Sequence, residues 1–77
     1  MPRTIYHAAD IESSSSKSGM HTLVTKDGKK IVYYDSTINR NRLYAKAAIF
    51  SSKNRRYKKD VLIGFCQDYS INYILVY

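Results

Sequence analysis

The sequence has one cysteine, one proline, no tryptophan and no long apolar segment. Its single cysteine, Cys66, cannot form an internal disulfide, and its Cys and His residues are too few for a metal site. The longest apolar runs are about six residues, far below the roughly 18–20 that span a bilayer. No apolar segment of a secretory signal follows the N-terminus. We therefore expect a soluble, cytoplasmic protein with no membrane contact, no metal and no cofactor.

Acidic residues are also scarce. Thirteen Lys and Arg residues stand against six Asp and Glu, which gives a formal net charge of +7 and an isoelectric point near 9.7. The length of 77 residues allows one small domain, and the 44% hydrophobic content is ordinary for a globular chain. A small, strongly basic domain indicates a binding protein more than an enzyme.

The composition divides the chain into two parts. Residues 1–19 include the run Ser13–Ser16 and few apolar side chains. Such a segment buries too little apolar area to offset the entropy lost on ordering it, so we expect a flexible arm. Its charges cancel, whereas residues 20–77 hold eleven basic and four acidic side chains. The net positive charge therefore lies on the part expected to fold as a single domain.

Asp27-Gly28, at the centre of the segment 26–29, predicts a first β-hairpin. Asp-Gly is favoured in two-residue type I′ turns, which need positive φ at both positions. The flanking residues are rich in the β-branched and aromatic side chains typical of strands. Pairing outward from this turn places Val24 opposite Ile31 and Leu23 opposite Val32.

Two further strands, Val61–Cys66 and Ile71–Tyr77, are predicted on either side of a polar break at residues 67–70. Their apolar content is continuous and does not alternate. Continuous runs are typical of strands that are covered on both faces, so we expect such cover here. Gly64 indicates either a bulge or a position where another group packs closely over the strand.

Residues 38–52 allow two interpretations, and these decide the fold class. In a helix, a Ser-Thr pair at 36–37 can cap the N-terminus, and the central Ala-Lys-Ala-Ala has high helix propensity. Leu43, Ala47 and Phe50 then share one face. We favour this interpretation because alanine is a poor strand former. It gives an α+β domain, ββαββ, with an antiparallel sheet and one helix.

The alternative is a strand. Leu43, Ala45, Ala47 and Ile49 would then line one face, and the residues between them, from Arg42 to Phe50, the other. This interpretation gives an all-β, five-stranded barrel of the SH3 or OB kind.

Basic residues cluster at three places, of which residues 53–59 are the densest, with five positive charges around Tyr57. Phosphate groups bind such clusters, because each contact with Lys or Arg releases condensed counterions. A tyrosine ring adds a surface on which a base can stack. The other clusters surround Tyr44 and the first predicted turn. The predicted binding residues are Arg40, Arg42, Lys46, Lys53, Arg55, Arg56, Tyr57, Lys58 and Lys59, with Lys26, Lys29, Lys30 and Tyr44 in a secondary role.

These clusters predict a module that binds DNA or RNA, although the sequence has no zinc-finger spacing, GXXG loop or RRM aromatic signature. The alternative is a non-enzymatic interaction protein that docks on an acidic surface of a host enzyme. Small basic accessory factors and inhibitors of phages and plasmids are of this type, and electrostatic steering would involve the same side chains.

Catalysis is not expected, whereas self-association is. His7 and His21 lie far apart, and Cys66 follows apolar residues with no histidine nearby in the sequence, which indicates a buried, unreactive thiol.

The C-terminal strand is rich in apolar residues, and a small domain has little material to cover it. We therefore expect that a homodimer can form through the C-terminal strands.

Overall fold

A computed structural model describes residues 4–51, 53 and 55–77, and in this part of the chain it contains seven antiparallel strands. The strands are β1 (Thr4–His7), β2 (Ile11–Lys17), β3 (Met20–Thr25), β4 (Lys30–Tyr34), β5 (Arg42–Phe50), β6 (Arg56–Phe65) and β7 (Ile71–Val76). A single 3-10 turn, Ala8–Asp10, connects β1 to β2. Over the same residues, no helix has the length and apolar character needed to cross a membrane.

All seven strands belong to one sheet with the order β1-β7-β6-β5-β4-β3-β2. The chain runs as a meander from β2 to β7, and β1 adds to the far edge beside β7. Only three residues connect β1 to β2, although these strands form opposite edges of the sheet. The sheet must therefore curl until its two edges approach each other, which makes it a half-barrel with a concave inner and a convex outer face.

The predicted ββαββ fold is wrong, because residues 42–50 form strand β5 and not a helix. Nine residue pairs join β5 to β6, from Arg42↔Gly64 to Phe50↔Arg56, and β4 pairs with its other side. Pairing on both sides satisfies the backbone and buries the inward side chains, and this outweighs the helix propensity of the alanines. The strand alternative, with an all-β fold, fits the structure.

The hydrophobic core fills the concave side of the half-barrel. Inward side chains alternate with outward ones on every central strand, as the period of two requires. Ala47 is only 1% exposed and lies in this core, where a tightly curled sheet has little room for larger side chains. The core residues are Tyr6, Leu23, Ile31, Tyr33, Leu43, Ala47, Ile49, Val61, Ile63, Ile74 and Val76.

The first predicted hairpin exists, but its register is shifted by one residue. Leu23 pairs with Ile31, and the Thr25 N–H donates to the Lys29 carbonyl, so three residues form the turn in place of two. Only Gly28 among them has positive φ, at +90°, so the turn is not type I′. The buried Thr25 hydroxyl donates to the Asp27 carboxylate and contacts the Lys29 backbone, which stabilises the longer turn.

A two-residue turn with positive φ at both positions occurs elsewhere, at Ser18 (52°) and Gly19 (80°) between β2 and β3. It lies within residues 1–19, from which we expected a flexible arm. The described part of that segment takes part in the sheet, since β1 pairs with β7 and β2 pairs with β3. The mobility of the segment in solution stays a prediction.

The second predicted hairpin is formed by β6 and β7, and Gly64 lies at the predicted bulge. The register shifts between Gly64 and Phe65, and a side chain at position 64 would collide with the ring of Tyr73. Full cover on both faces is not observed, because Ile63 and Ile74 are buried whereas Leu62 and Leu75 are half-buried on the outside. Cys66, expected to be buried, is an exposed free thiol after β6.

Candidate nucleic-acid interface

The convex side of β4, β5 and β6 carries five cationic side chains, all exposed. Strand pairing aligns Lys30 with Phe50 and Phe50 with Arg56, and it aligns Lys58 with Ala48 in the next row. Because partners across strands share a face, these side chains point to the same side of the sheet. We call Lys30, Arg42, Lys46, Arg56 and Lys58 the outer basic face.

The charges of the outer basic face are largely uncompensated. Among the residues that the structure describes, no Lys or Arg side chain comes within ion-pair distance of a carboxylate. Asp60 pairs with Lys46 across β5 and β6, and it is the carboxylate on this part of the convex side. Neighbouring strands are about 4.8 Å apart, so Lys30 and Arg56, which are two strands apart in one row, lie about one Debye length of roughly 8–10 Å from each other and their fields add.

Aromatic rings lie between these cations. The Arg56 guanidinium carbon is 6.0 Å from the centre of the Phe50 ring, within the range of a cation–π contact. Tyr34 and Tyr44 are 67% and 59% exposed, and both are outward-facing. The Tyr44 ring is also 6.2 Å from that of Tyr77, which limits its motion on one side. The convex side therefore combines positive charge with flat, accessible rings.

Three of the predicted binding residues point toward the concave side. In β6, Tyr57 and Lys59 alternate with the outward Arg56 and Lys58, and they line a cavity of about 80 Å³ together with Lys29. The Lys59 ammonium is 5.9 Å from the centre of the Tyr57 ring. Burial opposes the charge of Lys29, but nearby tyrosine hydroxyls outweigh this effect and raise its pKa. The dense cluster 53–59 is therefore divided between two sides of the sheet.

The remaining predicted residues lie in loops. Arg40, with φ 55°, belongs to the connection between β4 and β5, and it lines a shallow hollow with Arg42 and Tyr44. Lys26 is in the turn between β3 and β4. Lys53 and Arg55 lie between β5 and β6, near the Lys30 end of the convex side. The fold thus assembles part of the predicted set on the convex side, directs three members toward the concave side and leaves the rest in loops.

The structure also brings together three polar residues that the sequence did not single out as a group. The Ser16 Oγ is 2.6 Å from His21 Nδ1, and His21 Nε2 is hydrogen-bonded to the Asp35 carboxylate. Ser16, His21 and Tyr33 occupy directly paired positions on β2, β3 and β4. No local spacing indicates this cluster, because it depends on the register of two hairpins.

This cluster lines a cleft of about 610 Å³ between the two edges of the half-barrel. The cleft floor is apolar and includes Leu23, Leu43 and Phe65. The His21 ring stacks on Tyr33 with centres 5.0 Å apart and planes at 23°. Burial, and then the negative charge of Asp35, raise the pKa of Tyr33 above its ordinary value.

The raised pKa of Tyr33 predicts a loss of stability at high pH. The unfolded chain releases the Tyr33 proton near its ordinary pKa of about 10, before the folded protein does. Stability is therefore unaffected below that pH and falls as pH rises through the folded pKa. Thermal unfolding between about pH 8 and 11.5 should show this fall, and Tyr33→Phe should make it shallower. Tyr34→Phe removes an exposed hydroxyl and should keep the wild-type dependence; equal slopes for both variants would contradict the assignment.

Comparison of the chain with family models, curated proteins and solved structures finds no match. Among the described residues, no three His, Cys, Asp or Glu side chains come together as metal ligands.

Proposed function

We propose that the protein binds single-stranded nucleic acid through the outer basic face. The observation that carries this proposal is the placement of Lys30 on β4 and of Arg56 and Lys58 on β6, on the same side of the sheet and in two neighbouring rows, without carboxylate partners among the described residues. Cations held on a sheet keep their spacing, so several can contact one phosphate backbone at once. Each such contact releases counterions and adds to affinity.

Exposed tyrosines favour a single strand over a duplex. Tyr34 and Tyr44 present ring faces beside the cations, and a base–aromatic stack contributes about 1–3 kcal/mol when bases are unpaired. A duplex keeps its base faces inside the stack. In the part of the chain that the structure describes, the convex surface also carries no α-helix that would enter a major groove.

A fluorescence polarisation titration tests the proposal with single-stranded DNA and RNA of about 12 nucleotides and a duplex of equal length. Four phosphate contacts would give a salt slope of about −2.8, so affinity should fall about 50-fold between roughly 50 and 200 mM salt. Single strands should bind more tightly than the duplex. No binding to any of them at low salt would reject the proposal, and a flat salt dependence would reject its electrostatic mechanism.

A second experiment separates the alternative of docking on an acidic protein. Electrostatic docking shares the salt sensitivity, so salt alone does not distinguish the two. A pull-down before and after nuclease treatment does. Partners that are lost on digestion support the nucleic-acid proposal, and a discrete acidic partner that survives digestion, with no oligonucleotide binding, favours the alternative.

A homodimer through the C-terminal strands stays a prediction. β7 is hydrogen-bonded to β1 on one side and to β6 on the other, so it offers no free edge for pairing. Such a dimer would instead pack through the outer side, where Ile5, Leu62 and Leu75 lie in one row and Ile5 is 51% exposed. Sedimentation that shows only monomer at high micromolar concentration would rule it out.

A further inference from the structure

We propose that Ser16, His21 and Asp35 form a hydrolytic site that cleaves small carboxylic esters with an apolar acyl group. This activity is separate from the outer basic face and contradicts our expectation that the protein is not an enzyme. It follows from the chain of hydrogen bonds that joins a hydroxyl, an imidazole and a carboxylate on the wall of the large cleft. In such a chain the imidazole removes the hydroxyl proton and the carboxylate stabilises the imidazolium.

One histidine tautomer satisfies both hydrogen bonds. With the proton on Nε2, the His21 ring donates to Asp35 and leaves Nδ1 free to accept from Ser16. The Ser16–His21 distance of 2.6 Å is within the range of direct proton transfer. Asp35 therefore acts as a positioning residue, because it selects the tautomer in which the nitrogen beside Ser16 is basic.

Packing and backbone contacts hold the three residues in place. Tyr33 stacks beneath the His21 ring, directly across the strand pair. The Asp35 N–H donates to the Gly19 carbonyl at 2.8 Å, which holds the Asp35 backbone against the turn between β2 and β3. Ser16 lies on β2 directly opposite His21. Strand pairing thus sets Ser16 and His21, and Asp35 directly follows the last residue of β4.

The cleft determines the class of substrate. Its floor includes Ile11, Leu23, Leu43 and Phe65, a surface for the acyl chain, and its volume of about 610 Å³ accommodates a short one. Ser16 and His21 line the same cleft, so an acyl chain on this floor can bring its carbonyl to the wall where the hydroxyl lies. The site is open to solvent, since the Asp35 side chain is 69% exposed, so the leaving alcohol can depart and water can enter.

The reaction proceeds in two stages, the formation of an acyl-serine and its hydrolysis. Ser16 Oγ bonds to the ester carbonyl carbon while its proton moves to His21 Nδ1. The carbon–alkoxy bond then breaks, and the alcohol leaves with that proton, so that an acyl-serine remains. Water next gives its proton to His21 Nδ1 as its oxygen bonds to the same carbon. The bond to Ser16 breaks, the proton returns to Oγ, and the carboxylic acid is released.

The probe is p-nitrophenyl butyrate, measured with the full chain. We expect hydrolysis about 100-fold faster than with free histidine at equal concentration. This factor is the lower end of the rate gain, about 10²–10⁴-fold, that a positioned general base provides. Ser16→Ala and His21→Gln should reduce the rate to that of free histidine, and Asp35→Asn should reduce kcat at least about tenfold through loss of the tautomer. His7→Gln is the matched control for His21→Gln and should keep the wild-type rate, because His7 is exposed, does not line the cleft and makes no side-chain bond to Ser16 or Asp35.

A fluorophosphonate probe gives a second readout that separates catalysis from folding. Intact mass should show one adduct, and peptide mapping should place it on Ser16 in wild-type protein and in His7→Gln. His21→Gln should block labelling while circular dichroism remains unchanged. Ester cleavage that persists in Ser16→Ala would show simple imidazole catalysis and overturn the proposal, as would a wild-type rate no higher than that of histidine.

Discussion

Replacing Ile74 by aspartate is expected to unfold the protein at room temperature, whereas the same change at the next residue, Leu75, should leave it folded. Ile74 is fully buried in the core and pairs with Ile63 and Tyr6 across the two neighbouring strands. Leu75 points to the convex side and is half-buried. The two positions receive the same charge and differ in the side of the sheet they occupy.

The magnitudes decide the outcome. An aspartate at position 74 would be surrounded by aliphatic and aromatic side chains with no cationic partner in the core cluster. An unpaired buried charge of this kind costs several kcal/mol, on top of the lost isoleucine packing of about 2–5 kcal/mol. A domain of this size is stable by only about 4–12 kcal/mol. At position 75 the carboxylate stays in water, and the loss is about 1–2 kcal/mol.

Urea unfolding followed by circular dichroism measures both variants. Leu75→Asp should keep a cooperative transition at a lower midpoint, and Ile74→Asp should show no native baseline. Ile74→Val, which removes one methylene and adds no charge, is the control for packing and should cost about 0.5–1.5 kcal/mol. Equal destabilisation by the two aspartates would contradict the assignment of faces in β7.

The double variant Arg56→Gln/Lys58→Gln is expected to weaken single-stranded oligonucleotide binding about tenfold at low salt and to reduce the salt slope by about 1.4. Both side chains belong to the outer basic face and make no ion pair with a carboxylate in the described part of the chain. Their removal therefore takes away two phosphate contacts without exposing a partner.

Arg55→Gln/Lys59→Gln is the matched control. It also removes two positive charges from the same segment, but Lys59 lines the concave cavity and Arg55 precedes β6. The net charge of both variants is identical, so any difference between them reports the face and not the overall charge. We expect less than about threefold loss for the control. Equal losses would mean that binding follows net charge alone, and the outer basic face would lose its role.

The β3–β4 and β6–β7 hairpins were predictable because their signals are local. β-branched and aromatic runs around Asp27-Gly28, and before and after residues 67–70, identified both hairpins. The exact residue pairing of the first hairpin was not predictable. The Thr25 side chain stabilises a three-residue turn through contacts with Asp27 and Lys29, and turn propensity does not include such contacts.

Residues 42–50 show where local preference is overruled. Ala-Lys-Ala-Ala favours a helix by about 1 kcal/mol or less per residue, whereas pairing with β4 and β6 provides backbone partners and burial along the whole segment. The side-chain pattern was consistent with both structures. Leu43 and Ala47 are buried in the strand, and they would share a face in a helix as well.

The candidate sites differ in the same way. The cations of the outer basic face were recognisable as cationic clusters, but the alternation in β6 separates Arg56 and Lys58 from Tyr57 and Lys59. The contacts of His21 with Ser16 and Asp35 had no local signal, since these partners are 5 and 14 positions away from it and each contact depends on the register of a different hairpin.

By itself, the sequence determined the charge, the small size and the strand-forming character of both hairpins, because composition and short-range preference need no partner. The tertiary structure decided the state of residues 42–50, the register of each strand and the side on which each charge lies. These depend on which distant backbone is available to pair, and a shift of one residue moves every side chain to the opposite face of the sheet.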